Sequence, residues 1–459
     1  MKINLSKIKA SSWYRQQTAC KLYFVLGPGM GAVKQLNGGQ DVIFYFKQND
    51  FRGYYSENYF LKLALEQFLK IKNDPKYLSG THKTWTKGNG ELLKLIHGVR
   101  RLKLKKLADN NLLALNKQIG WLAQTFWDRP IFMDIFDVNA HELITNELRA
   151  MDIDIRADDL AILLSAPKIS FAQKYQLALR QLPKLPHPRD IKKIINEFYF
   201  IKCSYSQGLS LTIADVKKDL RHKYSEPLPV AKSRLYAKYG LTGWPKRMLE
   251  SFAFLAQWRE QRKMMLQKTV FALNVLGQEI ALRSHLSWED VALCLPYKID
   301  SIPVNKKLIQ KYKTLCQHNF LAIYNKNSKQ TEFLDKQSCK KILTLLETKN
   351  HQQTLKGQVA CSGKVTGIAR LISGEADFDK FRPGDILITS MTRPEFMPLL
   401  RRAKGIITDE GGITCHAAIV SRELDIPCII GTRNATRVIH NGDRIRLDAT
   451  QGKITIINQ

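Results

Sequence analysis

The spacing of apolar residues divides the chain into a helical region and a strand-rich C-terminal region. From Ser56 to about residue 345, apolar residues recur at every third or fourth position over long stretches, which predicts amphipathic helices. The first 55 residues carry shorter apolar runs that are typical of strands, such as 22–26 and 42–46. We therefore expect a mainly α-helical body over 1–345 with a strand-rich start over 1–55.

The pattern changes after a polar segment that we assign to a linker, 346–357. Beyond it, short runs rich in Ile and Val alternate with Gly, Asp and Pro. The predicted strands are 364–372, 385–390, 404–408, 427–431, 443–447 and 453–457, with helices over 394–403 and 415–424. This mixture predicts a compact α/β domain over 358–459, so the fold class of the whole chain is α+β.

The stretch 408–424 carries the strongest candidate chemistry. A buried strand at 406–407 is followed by Gly411 and Gly412, and then by a helical pattern that places His416 near a helix N-terminus. Unpaired N–H groups and the helix dipole favour negative charge there. A neutral imidazole in this position could attack a phosphoryl group. A histidine at a helix start can equally be an ordinary surface or capping residue.

The full segment from Gly411 to Gly431 resembles the phosphohistidine motif of the mobile, swivelling domain of phosphoenolpyruvate-utilising enzymes. Phosphoenolpyruvate synthase, pyruvate phosphate dikinase and rifampicin phosphotransferase belong to this group. The resemblance extends upstream through 362–370, 384–387 and 392–394. The usual Ser-Pro-Gly reads Cys361-Ser362-Gly363 here, a change that leaves the candidate chemistry untouched.

The resemblance implies a role for each matching residue. His416 would be the phosphorylated residue, and Thr392, Thr414, Gly411 and Gly412 would support the phosphate. The segments 158–165 and 258–263 resemble the helical segment that binds the acceptor in rifampicin phosphotransferase-like proteins. Their residues fit core or surface positions equally well. The weaker candidates for substrate or partner contacts are Arg259, Arg262, Arg393 and Arg422.

The same resemblance leaves donor and acceptor open. We find no pattern of an ATP-grasp nucleotide domain or of a phosphoenolpyruvate-binding barrel in the 459 residues, and no cofactor or metal site. We therefore expect a separate donor protein, ATP-grasp-like, that supplies ATP with Mg²⁺ or phosphoenolpyruvate. The alternative is a catalytically inactive binding or regulatory module that uses the swivel fold with an anionic partner.

The net charge and the predicted compartment say less about function than the motif does. The net charge is +31, of which +4 lies from Lys356 onward and +27 lies before it. This excess fits a Lys-rich solvated surface, an anionic substrate or partner, or nucleic acid, although no nucleic-acid motif is recognised. Runs such as 100–106 fit one face of an amphipathic helix. The scattered cysteines, the absence of a signal-peptide pattern and the absence of a long apolar run predict a cytoplasmic protein without a membrane span.

Overall fold

The structure is a computed structural model. It describes residues 13–19, 42–47, 50–128, 132–183, 186–203, 208–221, 232–317, 320–325, 330–334, 336–346, 354–392, 396–412 and 415–457. The strand predicted over 22–26 lies outside the described residues, as do 347–353 of the predicted linker. A helical body precedes a mixed α/β unit, so the predicted α+β fold class is confirmed.

Helices dominate the described part of the body. They are α1 Glu57–Asn73, α2 Tyr77–Gly88, α3 Gly90–Val99, α4 Asp109–Asp128, α5 Phe132–Ala150, α6 Ala157–Leu164, α7 Phe171–Arg180, α8 Pro188–Phe198, α9 Ile213–Arg221, α10 Ser233–Lys238, α11 Gly243–Arg283, α12 Trp288–Val291, α13 Lys306–Gln317 and α14 Lys336–Leu346. Ser170 begins α7 in a capping box with Gln173. At α8 the pattern favours Asp190 as the cap, whereas His187 occupies that position and accepts from the Arg189 N–H.

The strand-rich start belongs to a sheet that the chain completes much later. The strands are β1 Trp13–Ala19, β2 Val42–Lys47, β3 Asp50–Ser56, β4 Phe320–Asn325 and β5 Gln330–Phe333. They pair in the order β1-β3-β2-β4-β5, and every recorded pairing is antiparallel. Helix α14 covers one face, where Ile342 packs with Ile43 and Ile323. The first 55 residues are therefore integrated into the body.

Helix α11 is the longest of the described helices of the body. Its 41 residues extend about 60 Å at 1.5 Å per residue. The first half supplies Leu249 and Trp258 to one hydrophobic core, and the second half supplies Val270 and Leu276 to another. Because α11 is buried on several sides in turn, it joins two cores that would otherwise be separate.

The structure corrects the prediction that the basic run 100–106 lies on an amphipathic helix. Helix α3 ends at Val99, and only a short 3-10 turn, Leu104–Lys106, follows it. The run is therefore not a continuous amphipathic helix. The side chain of its first residue, Arg100, contacts helix α8 and donates a hydrogen bond to the carbonyl of Asn196 at 3.0 Å. Several adjacent cations favour such a turn, because a continuous helix would stack like charges on one face.

A second sheet forms the C-terminal unit. Its strands are β6 Thr354–Lys356, β7 Gln358–Cys361, β8 Lys364–Leu371, β9 Ile386–Thr389, β10 Gly405–Thr408, β11 Cys428–Ile430, β12 Arg444–Asp448 and β13 Lys453–Ile456. In the described part of the chain they pair in the order β6-β13-β12-β8-β9-β10-β11-β7. Strands β8 to β11 run parallel, and the outer strands pair antiparallel. Residues 354–356 were predicted as linker, but they pair with β13.

Helices cover both faces of the second sheet. They are α15 Met397–Leu400, α16 His416–Glu423 and α17 Ala435–Val438. Helix α16 packs through Ala417 and Ala418 against Leu387 and Ile406. Helix α17 packs through Ala435 against the opposite face. Alanines let α16 lie close to the strands, which fixes the position of its first residue, His416.

Candidate functional site

The turn between β10 and α16 places His416 at the carboxyl edge of the parallel strands. Gly411 adopts a φ of +110°, a conformation that other residues rarely reach. A Cβ at this position would lie 2.7 Å from the Cys415 sulfur, so glycine is also required sterically. Cys415 then occupies the N-cap position and His416 is the first residue of the helix. Ligands of open α/β sheets bind at this edge.

The neighbouring strand supplies a partner for the imidazole. Thr392 follows β9, and its Oγ1 lies 2.9 Å from His416 Nδ1. When Nδ1 carries the proton and donates to this oxygen, Nε2 keeps its lone pair and can act as the nucleophile. When it accepts from Nδ1–H, the Thr392 oxygen thus stabilises the tautomer whose Nε2 keeps its lone pair.

His416 is partly buried, and its environment favours the neutral imidazole. Burial is the main cause that lowers the pKa of His416 from 6.5 to about 4. The second cause is the positive charge of Lys263, which belongs to helix α11 of the body. Both causes disfavour the charged form. At neutral pH the imidazole is therefore uncharged.

The start of α16 also offers hydrogen-bond donors to an anion. The first bond of the helix runs from the Ile419 N–H to the Cys415 carbonyl at 3.0 Å. The N–H groups of residues 416–418 consequently have no carbonyl of their own helix to bind. Together with the positive end of the helix dipole, they favour a phosphoryl group at His416.

A buried carboxylate holds the turn that presents these groups. Asp409 follows β10 and accepts hydrogen bonds from Thr432 Oγ1 at 3.0 Å and from the Thr436 N–H at 3.1 Å. These bonds tie the β10 turn to the segment after β11. Asp409 lies within the stretch 408–424, but no local pattern predicts a role for it, because its partners are more than 20 residues away.

The remaining candidate residues of the sequence analysis lie in different surroundings. Thr414 and Arg393 lie outside the described residues. Gly412 lies in the turn before α16, and its carbonyl accepts a hydrogen bond from the Cys415 N–H at 2.8 Å. Arg422 Nε donates to the carbonyl of Ala360 at 3.0 Å, a contact that ties α16 to strand β7. On helix α11, Arg262 is buried and Arg259 is partly buried. Their proposed contacts with a substrate or partner stay predictions.

The body and the α/β unit meet around the site. The charge of Lys263 on α11 acts on His416, and Arg433 Nη1 lies 3.5 Å from Glu57 Oε1 at the start of α1. Lys263 lies within the segment 258–263, whose pattern predicts no role for this lysine. A single lysine on a charged helix carries no signal of which distant residue it faces, so only the folded chain reveals this interaction.

Comparison with known proteins agrees with this geometry. Residues 381–452 match the family described as PEP-utilising enzyme, mobile domain. The match contains Thr392, Asp409 and His416, the residues whose contacts build the site.

Curated relatives share this domain. A probable phosphoenolpyruvate synthase of Methanothermobacter thermautotrophicus is 47% identical over 108 residues, which are 24% of this chain and 16% of the relative. An uncharacterised phosphotransferase of Bacillus subtilis is 43% identical over 113 residues, or 25% of this chain and 14% of the relative. The phosphoenolpyruvate synthase of Pyrococcus furiosus is 44% identical over 108 residues, or 24% and 13%. The chain therefore spans about a seventh of these relatives, and the likeness concerns the mobile domain.

Metal sites and membrane spans can be assessed for the described residues. Among them, no group of three or more His, Cys, Asp or Glu side chains is arranged to hold a metal ion. No helix in the described ranges is long and apolar enough to cross a membrane.

Proposed function

We propose that this chain is a phosphotransferase component that carries a phosphoryl group on His416. The observation that carries the proposal is the neutral imidazole of His416, bonded through Nδ1 to Thr392 at the N-terminus of α16. A nucleophile, an orienting partner and a preformed anion site thus coincide in one place. The mobile-domain match over 381–452 supports the same role.

The chemistry is a displacement at phosphorus. The Nε2 lone pair of His416 attacks the phosphoryl donor, the N–P bond forms, and the bond to the leaving oxygen breaks with its electron pair. Nδ1–H stays hydrogen-bonded to Thr392 and spreads the positive charge that develops on the ring. The N–H groups at the start of α16 stabilise the transferred phosphoryl oxygens. Transfer to an acceptor reverses these steps.

In this proposal the donor is a separate ATP-grasp-like protein that uses ATP and Mg²⁺, or phosphoenolpyruvate itself. The acceptor is held by the helical body. What supports the second part is the position of Lys263, which brings a cation of the body next to the nucleophile. In this arrangement, a phosphoryl group on His416 would be attracted by the positive charge of Lys263.

Transfer of radiolabel tests the proposal. The chain is incubated with labelled phosphoenolpyruvate, or with ATP labelled at the β or γ position and Mg²⁺, with and without a cell extract that can supply the donor. We expect label that acid removes and alkali preserves, and that His416→Ala abolishes. His440→Ala is the matched control, because this exposed histidine lies in a turn near Asp443. Full labelling of His416→Ala contradicts the proposal. Absence of label under every donor favours the binding-module alternative.

A further inference from the structure

Three aromatic rings of the body pack against each other next to helix α11. The ring centroids of Phe171 and Phe200 lie 5.9 Å apart, and those of Phe200 and Tyr199 lie 5.2 Å apart. All three side chains are buried. They come from the start of α7 and the end of α8, so the row is fixed by two helices that pack together.

Each ring carries one cation. Lys263 Nζ lies 5.8 Å from the ring centroid of Phe171, and Lys268 Nζ lies 4.9 Å from that of Phe200. The Arg100 guanidinium lies 3.8 Å from the ring centroid of Tyr199. We call Arg100, Lys263 and Lys268 the cation row. Ring faces hold a cation in place by their quadrupole without cancelling its charge.

The positive charge of the row is not neutralised within the described part of the chain. None of its three members forms an ion pair with a carboxylate there. The neighbours instead repel one another. After burial, the charges of Lys268, Arg100 and Arg101 lower the pKa of His97, and the charge of Arg100 lowers that of Lys268. Fixed like charges without counter-charges are favourable where an anion binds between them.

One member of the row acts electrostatically on His416. Lys263 is the cation whose charge reaches His416, and Lys268 lies five residues further along the same helix, about 7.5 Å along its axis. Arg100 extends the row to Tyr199. A ligand bound along the row would thus have one end next to a phosphoryl group on His416.

The buried rings indicate the class of ligand. Proteins that bind single-stranded nucleic acid stack bases on exposed aromatic faces. Here Phe171, Tyr199 and Phe200 are buried, and cations already cover their faces. The row is therefore suited to discrete anionic groups spaced along three cations, and unsuited to base stacking.

We propose that the cation row is the acceptor site and that it binds a small oligoanion with two or more phosphate or carboxylate groups. This inference rests on the proposed function and names its substrate class. An oxygen of the acceptor attacks phosphorus, the N–P bond breaks, and its electron pair returns to His416 Nε2. A hydroxyl acceptor releases its proton to water, and an anionic oxygen has none to release. Arg100 and Lys268 hold the anionic groups while Lys263 offsets charge at the transferring phosphoryl group.

Calorimetric titration with tripolyphosphate as the probe tests the site at low salt. We use the wild type, Arg100→Gln, Lys268→Gln, the double variant, and His416→Ala. Lys62→Gln, an exposed lysine on α1, is the charge-matched control. We expect the wild type, His416→Ala and Lys62→Gln to bind alike. Each variant of the row raises Kd roughly tenfold or more, since each removes a charged contact worth about 1.5 kcal/mol or more. Circular dichroism and melting temperature verify that the variants are folded.

The outcomes separate the site from the proposed function. If tripolyphosphate binds the wild type but no phosphoryl group is ever found on His416, the phosphotransferase function fails and the row stands only as an anion site, which overturns its role as acceptor site. If His416 is phosphorylated but tripolyphosphate does not bind, or binds the double variant as tightly as the wild type, the inference is overturned and the function stands. Tight binding of a single-stranded RNA oligonucleotide through Arg100 and Lys268, without binding of tripolyphosphate, overturns it in favour of nucleic acid.

Discussion

At His416, two independent features act on one equilibrium. Burial and the charge of Lys263 both favour the uncharged imidazole. Thr392 Oγ1 lies within hydrogen-bond distance of Nδ1 and can accept its proton. A solvated histidine would be largely neutral at pH 7 as well, but it would lose that form near pH 6.5. The low pKa instead keeps the imidazole of His416 uncharged well into the acidic range.

Replacing Lys263 by Gln should raise the pKa of His416, because one of the two causes of its low value is removed. Burial, the larger cause, remains, so the pKa stays below 6.5. Titration of the His416 ring protons by NMR measures both values, with Lys62→Gln as control. Since the wild-type pKa of about 4 lies below that of the unfolded chain, His416 also reduces stability as pH falls from about 6.5 to about 4. An unchanged pKa in Lys263→Gln would show that the lysine does not act on His416.

Replacing Thr392 by Val should slow phosphorylation of His416 by roughly fivefold or more, since loss of this hydrogen bond costs about 1 kcal/mol or more. Valine keeps the shape of the side chain but removes the oxygen that accepts from Nδ1. Thr392→Ser restores the oxygen and should restore most of the rate. The initial rate of label incorporation measures the effect. Equal rates for the Val variant and the wild type would exclude an orienting role for Thr392.

At the scale of elements, the turn between β10 and α16 matters most. Replacing Gly411 by Ala introduces strain at a φ of +110° and a clash with Cys415, so we expect a loss of stability of about 1–3 kcal/mol and strongly reduced labelling. Gly442→Ala is the matched control, because its φ is +97° but nothing lies within 4 Å of the new Cβ. Urea unfolding and labelling of both variants measure the difference. Similar labelling of the two would show that the turn does not position His416.

The sequence pattern predicted these elements well, for a physical reason. Strands β8 to β13 and helix α16 appear where short apolar runs end at Gly, Asp or Pro, because local propensity and burial agree there. Besides the cap of α8, two local predictions were wrong. The run 100–106 is a helix end and a turn, and residues 354–356 form a strand whose one buried residue, Leu355, is too little to show a period.

At the scale of the whole molecule, residues distant in sequence meet. Strands β4 and β5 complete a sheet that begins near residue 13, and the charge of Lys263 acts on His416. No local pattern predicts such contacts, because they depend on how the helices pack and not on the period of any one of them. The candidate nucleophile could therefore be predicted from sequence, whereas the cations around it could not.

The contact between Glu57 and Arg433 offers a way to hold the two units together. In a Glu57→Cys/Arg433→Cys variant, a short cleavable crosslinker between the thiols should keep the mobile domain on the body. If the donor is reached only after the domain moves, loading of His416 falls at least roughly tenfold and returns when the linker is cleaved. The single-cysteine variants, treated alike, control for reaction at other thiols. Full loading of the crosslinked protein would show that no such movement is needed.

The most direct test of the account is the position of the phosphoryl group on the loaded protein. Phosphorus NMR at alkaline pH distinguishes phosphate on Nε2 of histidine from phosphate on Nδ1, and His416→Ala identifies the residue. We predict a single signal from Nε2 of His416, because Nδ1 is occupied by its contact with Thr392. A signal from Nδ1, a signal that persists in His416→Ala, or no signal with any donor would contradict the account.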